Sequence, residues 1–161
     1  MHRSMNITKY QKLFGVGLLS VAINSFLLGL LWLLDRRLGH VEILSQPRPI
    51  RIFGLILIGL WICWHIWCIS VIRHWWHDDR LCTTGPYRLV RHPMYAGGVV
   101  LAFPGISLMF NSWIIILSPV LLYFILSILV RKEEVMMEAI FGEDYRRYAA
   151  HTGRLIPRFF Q

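Results

Sequence analysis

Charged side chains are scarce in this chain of 161 residues, and acidic ones especially so. Asp, Glu, Lys and Arg together make up 16% of the sequence, against about 25% in an ordinary soluble domain. Apolar residues make up 56%, and the mean hydropathy is +0.52. A soluble protein of this size leaves too much of its chain at the surface to bury so many apolar side chains. Disordered chains are poor in aliphatic and aromatic residues, so the composition predicts a single polytopic membrane domain over residues 1–161.

Cysteine is also rare, and its pattern excludes a disulfide framework. The three cysteines are Cys63, Cys68 and Cys82. They form neither an even-numbered set nor a C-x-x-C pair, so we expect reduced, structural thiols.

The histidines give no convincing metal site. His74-x-x-His77-Asp78 has a spacing that metal ligands use, but the sequence offers no obvious third or fourth ligand. We therefore predict no metal.

Basic residues outnumber acidic ones by 17 to 9, which gives a net charge of +8. In a soluble protein this excess would suggest a nucleic-acid partner. In a membrane protein it is typical of cytoplasmic segments that face anionic lipid. The predicted partner is the lipid bilayer and not nucleic acid.

Four stretches approach the roughly 20 mostly apolar residues that a membrane-spanning helix needs. They are residues 13–34, 52–72, 94–110 and 113–130. Only Asn111 and Ser112 separate the last two stretches, so these should form a tight helical hairpin. Pro104 and Pro119 fall inside that hairpin, where prolines kink helices. The fold prediction is all-α, with four transmembrane helices and a C-terminal cytoplasmic helical tail.

The tail should contain two helical segments. The fourth helix is expected to continue beyond the membrane to Gly142, a plausible helix end. Glu143 then begins a short helix that carries Tyr145 and Tyr148 on one face.

The distribution of Lys and Arg predicts the orientation in the membrane. With four spans, 13 of the 17 basic residues lie on the side of the two termini and of the 73–93 connection. Basic residues are concentrated in cytoplasmic loops, so both termini should be cytoplasmic.

The second span carries two features of interest. Trp61, Trp64 and Trp67 recur every three residues, which predicts a packing ridge or a lipid-facing stripe. His65 lies within the same span, where an ionisable residue is a functional candidate by default. The alternative for His65 is a neutral ring bonded to a neighbouring helix.

A first polar cluster precedes the third span. Pro93 suits the first turn of a helix, which would place Arg91, His92 and Tyr95 around a helix N-terminus, a natural anion site. Gly97 would allow a ligand or another backbone to approach closely. An interfacial anchor beside phosphate headgroups explains the same composition equally well.

A second polar cluster, Glu133-Glu134, lies where the fourth span leaves the membrane. Because the two spans form a hairpin, both clusters should emerge close together, although solvated charges are the simpler interpretation of the glutamates. A pocket with basic groups on one wall and carboxylates on the other suits a zwitterionic ligand. S-adenosylmethionine is such a ligand.

The order of these motifs resembles the isoprenylcysteine carboxyl methyltransferase family, which is similar to the phospholipid methyltransferases in the same region. The resemblance covers about residues 84–158. It consists of Gly85-Pro86-Tyr87-x-x-x-Arg91-His92-Pro93-x-Tyr95-x-Gly97, an apolar hairpin, Glu133-Glu134, Phe141-Gly142-x-x-Tyr145-x-x-Tyr148 and Ile156-Pro157. Residues 1–72 carry no recognised motif and would be supporting helices, with residues 73–161 as the cofactor-binding and catalytic half.

The resemblance implies an integral membrane methyltransferase that uses S-adenosylmethionine and a lipophilic or prenylated acceptor. In agreement, no G-x-G-x-x-G follows a strand pattern. Arg91 would face an acceptor carboxylate, and Arg91 and Glu134 are the candidate catalytic residues. Arg154 has no counterpart in the family pattern. The residues implied to bind the cofactor are Tyr87, His92, Pro93, Tyr95, Gly97, Glu133, Glu134 and Tyr145.

Three alternatives remain at this stage. A phospholipid amine is a second acceptor class, of the phosphatidylethanolamine type. Membrane sterol reductases that use NADPH share a related helical arrangement but carry basic pairs where this chain has Glu133-Glu134. A membrane protein without enzymatic activity would leave the two paired clusters unexplained.

Overall fold

The structure is a computed structural model that describes residues 17–76 and 80–158. All regular elements in these ranges are helical. They are α1 (Gly17–Arg37), α2 (Arg48–Trp76), α3 (Pro86–Leu89), α4 (Pro93–Gly97), a π-helix (Gly98–Ala102), α5 (Phe103–Phe110), a 3-10 turn (Ile115–Leu117), α6 (Ser118–Phe141) and α7 (Glu143–His151).

The four predicted spans are confirmed. The helices long and apolar enough to cross a membrane cover Leu19–Arg37, Arg48–Trp75, Pro93–Phe110 and Ile115–Phe141. The first predicted span begins before residue 17, outside the described residues. The chain is therefore an all-α integral membrane protein.

The hairpin between the third and fourth spans also forms as predicted. Asn111 ends α5 in a left-handed conformation, with φ of 51°. Pro93 is the first residue of α4, and Gly142 separates α6 from α7 with φ of 54°. These short-range signals locate the helix ends correctly.

Pro104 and Pro119 lie in the first turns of regular α-helices and not in their interiors. Pro104 is the second residue of α5, directly after the π-helix, whose wider turn relieves the clash of the proline ring with the preceding turn. Pro119 is the second residue of α6, after the 3-10 turn. In both places the helix changes type before the proline, and the kink of the span stays a prediction.

The hairpin occupies the centre of the bundle. Helix α2 packs against α5 and the π-helix, while α1 packs against α6 and the 3-10 turn. The α2 and α5 backbones lie close together where the helices cross. A Cβ on Gly54 would lie only 2.7 Å from the Gly105 carbonyl oxygen. Small residues allow such backbone contact between membrane helices.

The C-terminal segment folds back onto the spans. Leu155 is buried with Leu122 and Leu126 of α6 in one apolar cluster. The backbone N–H groups of Arg91 and His92 donate to the carbonyls of Gly153 (2.8 Å) and Arg154 (3.1 Å). This pairing holds the tail beside the residues that precede α4 and so builds the site described below.

A polar network closes the opposite end of the bundle. The buried Asp35 carboxylate accepts hydrogen bonds from His40 Nδ1 at 2.6 Å and Ser112 Oγ at 2.5 Å. The Asn111 side chain exchanges two hydrogen bonds with the backbone of Leu44, at 2.8 and 3.0 Å. The network ties the α1–α2 connection to the tip of the hairpin.

Candidate functional site

The site is centred on an ion pair between Arg91, just before α4, and Glu134, near the end of α6. Arg91 Nε lies 2.8 Å and Nη2 2.7 Å from Glu134 Oε1. The side chains are 10% and 13% exposed, so the pair is largely removed from water. The antiparallel hairpin brings the two predicted clusters together because each lies at the same end of its span.

Arg154 binds the other oxygen of the same carboxylate. Its Nε and Nη2 lie 2.8 and 2.5 Å from Glu134 Oε2. This hydrogen bond with Glu134 raises the pKa of the Arg154 guanidinium. Two guanidinium groups therefore bind the Glu134 carboxylate. Their charge-assisted hydrogen bonds fix the position of that side chain.

Arg91 also holds the end of α7. Its Nη1 donates to the carbonyl oxygens of Ala149, at 2.8 Å, and Thr152. The guanidinium fork that the sequence assigned to an acceptor carboxylate is thus directed at Glu134 and at backbone carbonyls. The acceptor role of Arg91 stays a prediction, whereas its contacts make it a positioning residue for Glu134.

His92 and Tyr95 surround Glu133. Tyr95 Oη donates to Glu133 Oε1 at 2.8 Å, and His92 Nδ1 lies 3.4 Å from Glu133 Oε2. The two rings stack with their centroids 5.9 Å apart. Burial alone would lower the pKa of His92, but the neighbouring Glu133 and Glu134 carboxylates outweigh burial and raise it above its ordinary value.

Two buried polar atoms near Glu134 make no hydrogen bond of ordinary length within the described part of the chain. One is His92 Nε2, which lies 3.7 Å from Glu134 Oε1, beyond hydrogen-bond distance. The other is the hydroxyl of Tyr145. Burial, with the nearby charge of Glu134, raises the pKa of Tyr145 to about 12, so the hydroxyl stays protonated at neutral pH. Native proteins rarely leave such atoms unpaired, and each needs an explanation.

Tyr87 lies on the neighbouring side of the bundle. It is buried with Cys68 and Cys82, and burial raises its pKa. Its carbonyl oxygen accepts a hydrogen bond of 2.6 Å from Tyr148 Oη. This places Tyr87 and the two cysteines in a packed layer that connects α2, α3 and α7.

Pro93 and Gly97 contact α2. The Pro93 carbonyl accepts a 2.8 Å hydrogen bond from Trp64 Nε1. A Cβ on Gly97 would lie 2.5 Å from Trp64 Cδ1, so the indole occupies the space that a side chain would need. The close approach predicted at Gly97 is made by Trp64, and a contact of Gly97 with a cofactor stays a prediction.

The structure brings together the predicted residues Arg91, His92, Tyr95, Glu133, Glu134 and Tyr145. It adds Arg154 and the tail carbonyls, which the sequence analysis left out of the site. No family motif marks Arg154, and its only sequence signal is a basic residue in the tail that follows the paired tyrosines. The metal alternative at His74-x-x-His77-Asp78 falls partly on residues 77 and 78, outside the described ranges. Within those ranges, no group of three or more His, Cys, Asp or Glu side chains is arranged to hold a metal ion.

Comparison with known proteins supports the predicted resemblance. A sequence model described as phospholipid methyltransferase matches residues 50–144, more than half of the chain. Two curated proteins, from Oryza sativa subsp. indica and subsp. japonica, are each 33% identical over 86 residues. Both are named "Probable protein-S-isoprenylcysteine O-methyltransferase".

These alignments cover 52% of this chain and 45% of each rice protein, so the chain matches less than half the length of these relatives. No solved structure is significantly similar. The family match includes the α2–α6 bundle and the residues on which the site is centred, Arg91 and Glu134. On that match the chain belongs to the phospholipid methyltransferase family.

Proposed function

We propose that this protein is a membrane methyltransferase that uses S-adenosylmethionine to methylate the carboxylate of a lipophilic, isoprenylcysteine-like acceptor. The observation that carries the proposal is a pair of buried polar atoms around Glu134, His92 Nε2 and Tyr145 Oη, that make no hydrogen bond of ordinary length. A bound ligand with polar groups would supply the missing hydrogen bonds. The names of the two rice relatives support the acceptor class.

The side chains present suit both charges of the amino-acid part of S-adenosylmethionine. Arg154 is 34% exposed and offers guanidinium N–H groups to a carboxylate. Glu133 is 15% exposed and offers carboxylate oxygens to an ammonium or a hydroxyl. His92 and Tyr145 add polar contacts between these two.

The chemistry needs little acid–base catalysis if the acceptor is a carboxylate. S-adenosylmethionine supplies a methyl group activated by a sulfonium. The residues of this chain then have to orient the acceptor oxygen and exclude water. Arg91 and Arg154 contribute by fixing Glu134, and the paired tail closes the site beside α4.

A phospholipid amine is the second candidate acceptor, favoured by the description of the matched family. An amine must lose a proton before or during methyl transfer, which requires a base. Glu133 or a water molecule would take that proton. The chemical stability of the product separates the two candidates, because a methyl ester is hydrolysed by base and a methylated amine is not.

The orientation that we propose places this site at the cytoplasmic face. The basic residues Arg73, Arg80, Arg88, Arg131 and Lys132 lie at the same end of the bundle as the site. Among the described residues, four basic side chains belong to the opposite end: Arg36, Arg37, Arg48 and Arg51. Access to a cytosolic cofactor follows from this orientation.

A pair of tyrosine variants tests cofactor binding. Tyr145→Phe removes a hydroxyl that makes no hydrogen bond of ordinary length in the described structure, so the unfolding temperature should change little. Titration calorimetry should show S-adenosylmethionine binding weakened by about 2- to 12-fold, the effect of one lost hydrogen bond.

Tyr148→Phe is the matched control. Its hydroxyl donates to the Tyr87 carbonyl, so this variant should lose stability and keep the affinity per folded molecule. Wild-type protein that does not bind S-adenosylmethionine, or binds NADPH in its place, would contradict the proposal. Unchanged affinity in Tyr145→Phe would contradict the assigned site.

A further inference from the structure

A second pair of unpartnered polar atoms lies inside the membrane-spanning part of α2. Trp61 Nε1 and His65 Nδ1 are both buried, and neither has a hydrogen-bond partner among the described residues. The residues are one helical turn apart, with ring centroids separated by 5.4 Å. An unsatisfied polar group is unfavourable in the hydrocarbon core, where no water can pair with it. Two adjacent unsatisfied nitrogens therefore need a functional explanation.

The pair lies on the membrane side of the candidate site. The span of α2 covers Arg48–Trp75, 28 residues, and Trp61 is at its midpoint. Trp61 Cδ1, next to the indole N–H, would lie 3.5 Å from a Cβ on Gly97 at the end of α4. Gly97 follows His92 and Tyr95 by less than two helical turns, so the indole edge lies beside the helix that begins at the site.

Neighbouring tryptophans of α2 show that this arrangement is specific to Trp61. Trp64 faces the same way but donates its N–H to the Pro93 carbonyl. Trp67 is 47% exposed on the lipid-facing side. A packing ridge needs aromatic volume but no buried, unpaired nitrogen. The neighbouring π-helix (Gly98–Ala102) does not explain the unpaired nitrogens, because Pro104 already accounts for that π-helix.

The chemistry of the pair defines what it can bind. The indole N–H is only a donor, and the imidazole Nδ1 donates in one of its two neutral tautomers. In the tautomer that carries its proton on Nδ1, the pair presents two N–H donors in apolar surroundings, which fit an acceptor oxygen attached to an apolar chain. A carboxylate, phosphate or ester oxygen of a membrane amphiphile has this character.

We infer that Trp61 and His65 form an intramembrane binding site for an oxygen of the lipophilic acceptor, an inference that rests on the proposed function. The site would hold the acceptor from the lipid side, while Arg154, Glu133 and their neighbours hold the cofactor from the cytoplasmic side. Trp61 and His65 are thereby specificity-determining residues for the acceptor.

The test uses the purified full chain in phosphatidylcholine nanodiscs, without cofactor. Binding of N-acetyl-S-farnesylcysteine and of phosphatidylethanolamine is measured separately for the wild type, Trp61→Phe and His65→Phe. The controls are Trp67→Phe and His74→Phe on the same helix. Trp67 is exposed, and His74 Nδ1 already contacts the Ser70 carbonyl at 2.9 Å.

Each site variant should weaken binding of one amphiphile about 5-fold, the factor for one hydrogen bond of about 1 kcal/mol. The controls should bind like the wild type. His65→Phe should not unfold at a lower temperature, because it keeps a ring of similar size and removes an unpaired polar atom. Trp61→Phe also removes ring volume near Gly97, so its affinity is taken per folded molecule. The amphiphile affected identifies the source of the oxygen, a carboxylate or a phospholipid.

Equal affinities in site and control variants would overturn the inference, as would a wild type that binds neither amphiphile. A loss of stability in His65→Phe would show that its ring nitrogen has a structural partner, and it would overturn the inference as well. Methyl transfer is measured in parallel. If the wild type binds an amphiphile through Trp61 and His65 but transfers no methyl group, the proposed function fails and the binding site stands.

Discussion

Replacing Arg91 by lysine keeps a positive charge beside Glu134 but removes the planar guanidinium, so the variant tests geometry apart from charge. Arg91 contacts Glu134 through Nε and Nη2, and the Ala149 and Thr152 carbonyls through Nη1. A single ammonium at the end of a flexible chain can keep the ion pair. It cannot also reach both carbonyls with the same geometry.

The expected loss follows from the two carbonyl contacts. A hydrogen bond to a charged group contributes about 1.5–3 kcal/mol, so two lost bonds at the lower value destabilise the fold by about 3 kcal/mol. For a chain of this size, a loss of that order lowers the unfolding temperature by roughly 6–12 °C. The tail from Ala149 to Arg154 would loosen with it, so the affinity for S-adenosylmethionine should fall as well.

Thermal unfolding in detergent and calorimetry with S-adenosylmethionine measure the two effects. Arg146→Lys is the matched control, because Arg146 pairs with Glu138 at the surface and is 63% exposed. That control should leave both measurements unchanged. If Arg91 instead bound an acceptor carboxylate, Arg91→Lys would lower turnover and leave the stability and the cofactor affinity unchanged. That result, or equal behaviour of Arg91→Lys and Arg146→Lys, would refute the positioning role.

Three further outcomes are expected. Gly97→Ala should lower the unfolding temperature because its Cβ would lie 2.5 Å from Trp64 Cδ1, whereas Gly98→Ala meets no atom within 4 Å and should not; equal effects would refute the contact. The pKa of His92 is raised above 6.5, so its contribution to stability is fully present below that pH and is lost as the pH rises through the raised value. The difference in unfolding temperature between the wild type and His92→Gln should therefore change across that window, and parallel pH profiles would contradict it. A reporter fused after Gln161 should be active in the cytoplasm, since 13 of 17 basic residues share its side; activity on the other face would reverse the orientation.

The architecture was predictable because length and hydropathy largely determine which segments span a membrane. The hairpin followed from a separation of only two residues, Asn111 and Ser112. Its antiparallel geometry then brought His92 and Glu134 to the same end of the bundle. These predictions depended on short-range sequence signals, and the structure confirms the spans and the proximity of the two clusters.

The remaining contacts depend on how distant segments pack. Arg154 reaches Glu134 because the tail folds back and Leu155 packs against Leu122, a contact that no local pattern indicates. The same folding of the tail brings the Ala149 and Thr152 carbonyls to Arg91, which donates hydrogen bonds to both. The bond between Asp35 and Ser112 joins residues 77 positions apart. A sequence shows that such polar groups need partners, but only the packing decides which partners they obtain.

Labelled methyl transfer tests the central claim most directly. The purified full chain is incubated with methyl-labelled S-adenosylmethionine and either N-acetyl-S-farnesylcysteine or phosphatidylethanolamine, and the product is then treated with base. The account predicts label on the farnesylcysteine, released by base as expected of a methyl ester, with less product from Tyr145→Phe at limiting cofactor. Label only on the phospholipid amine would contradict the proposed acceptor, and no label on either amphiphile would contradict the proposed methyltransferase activity.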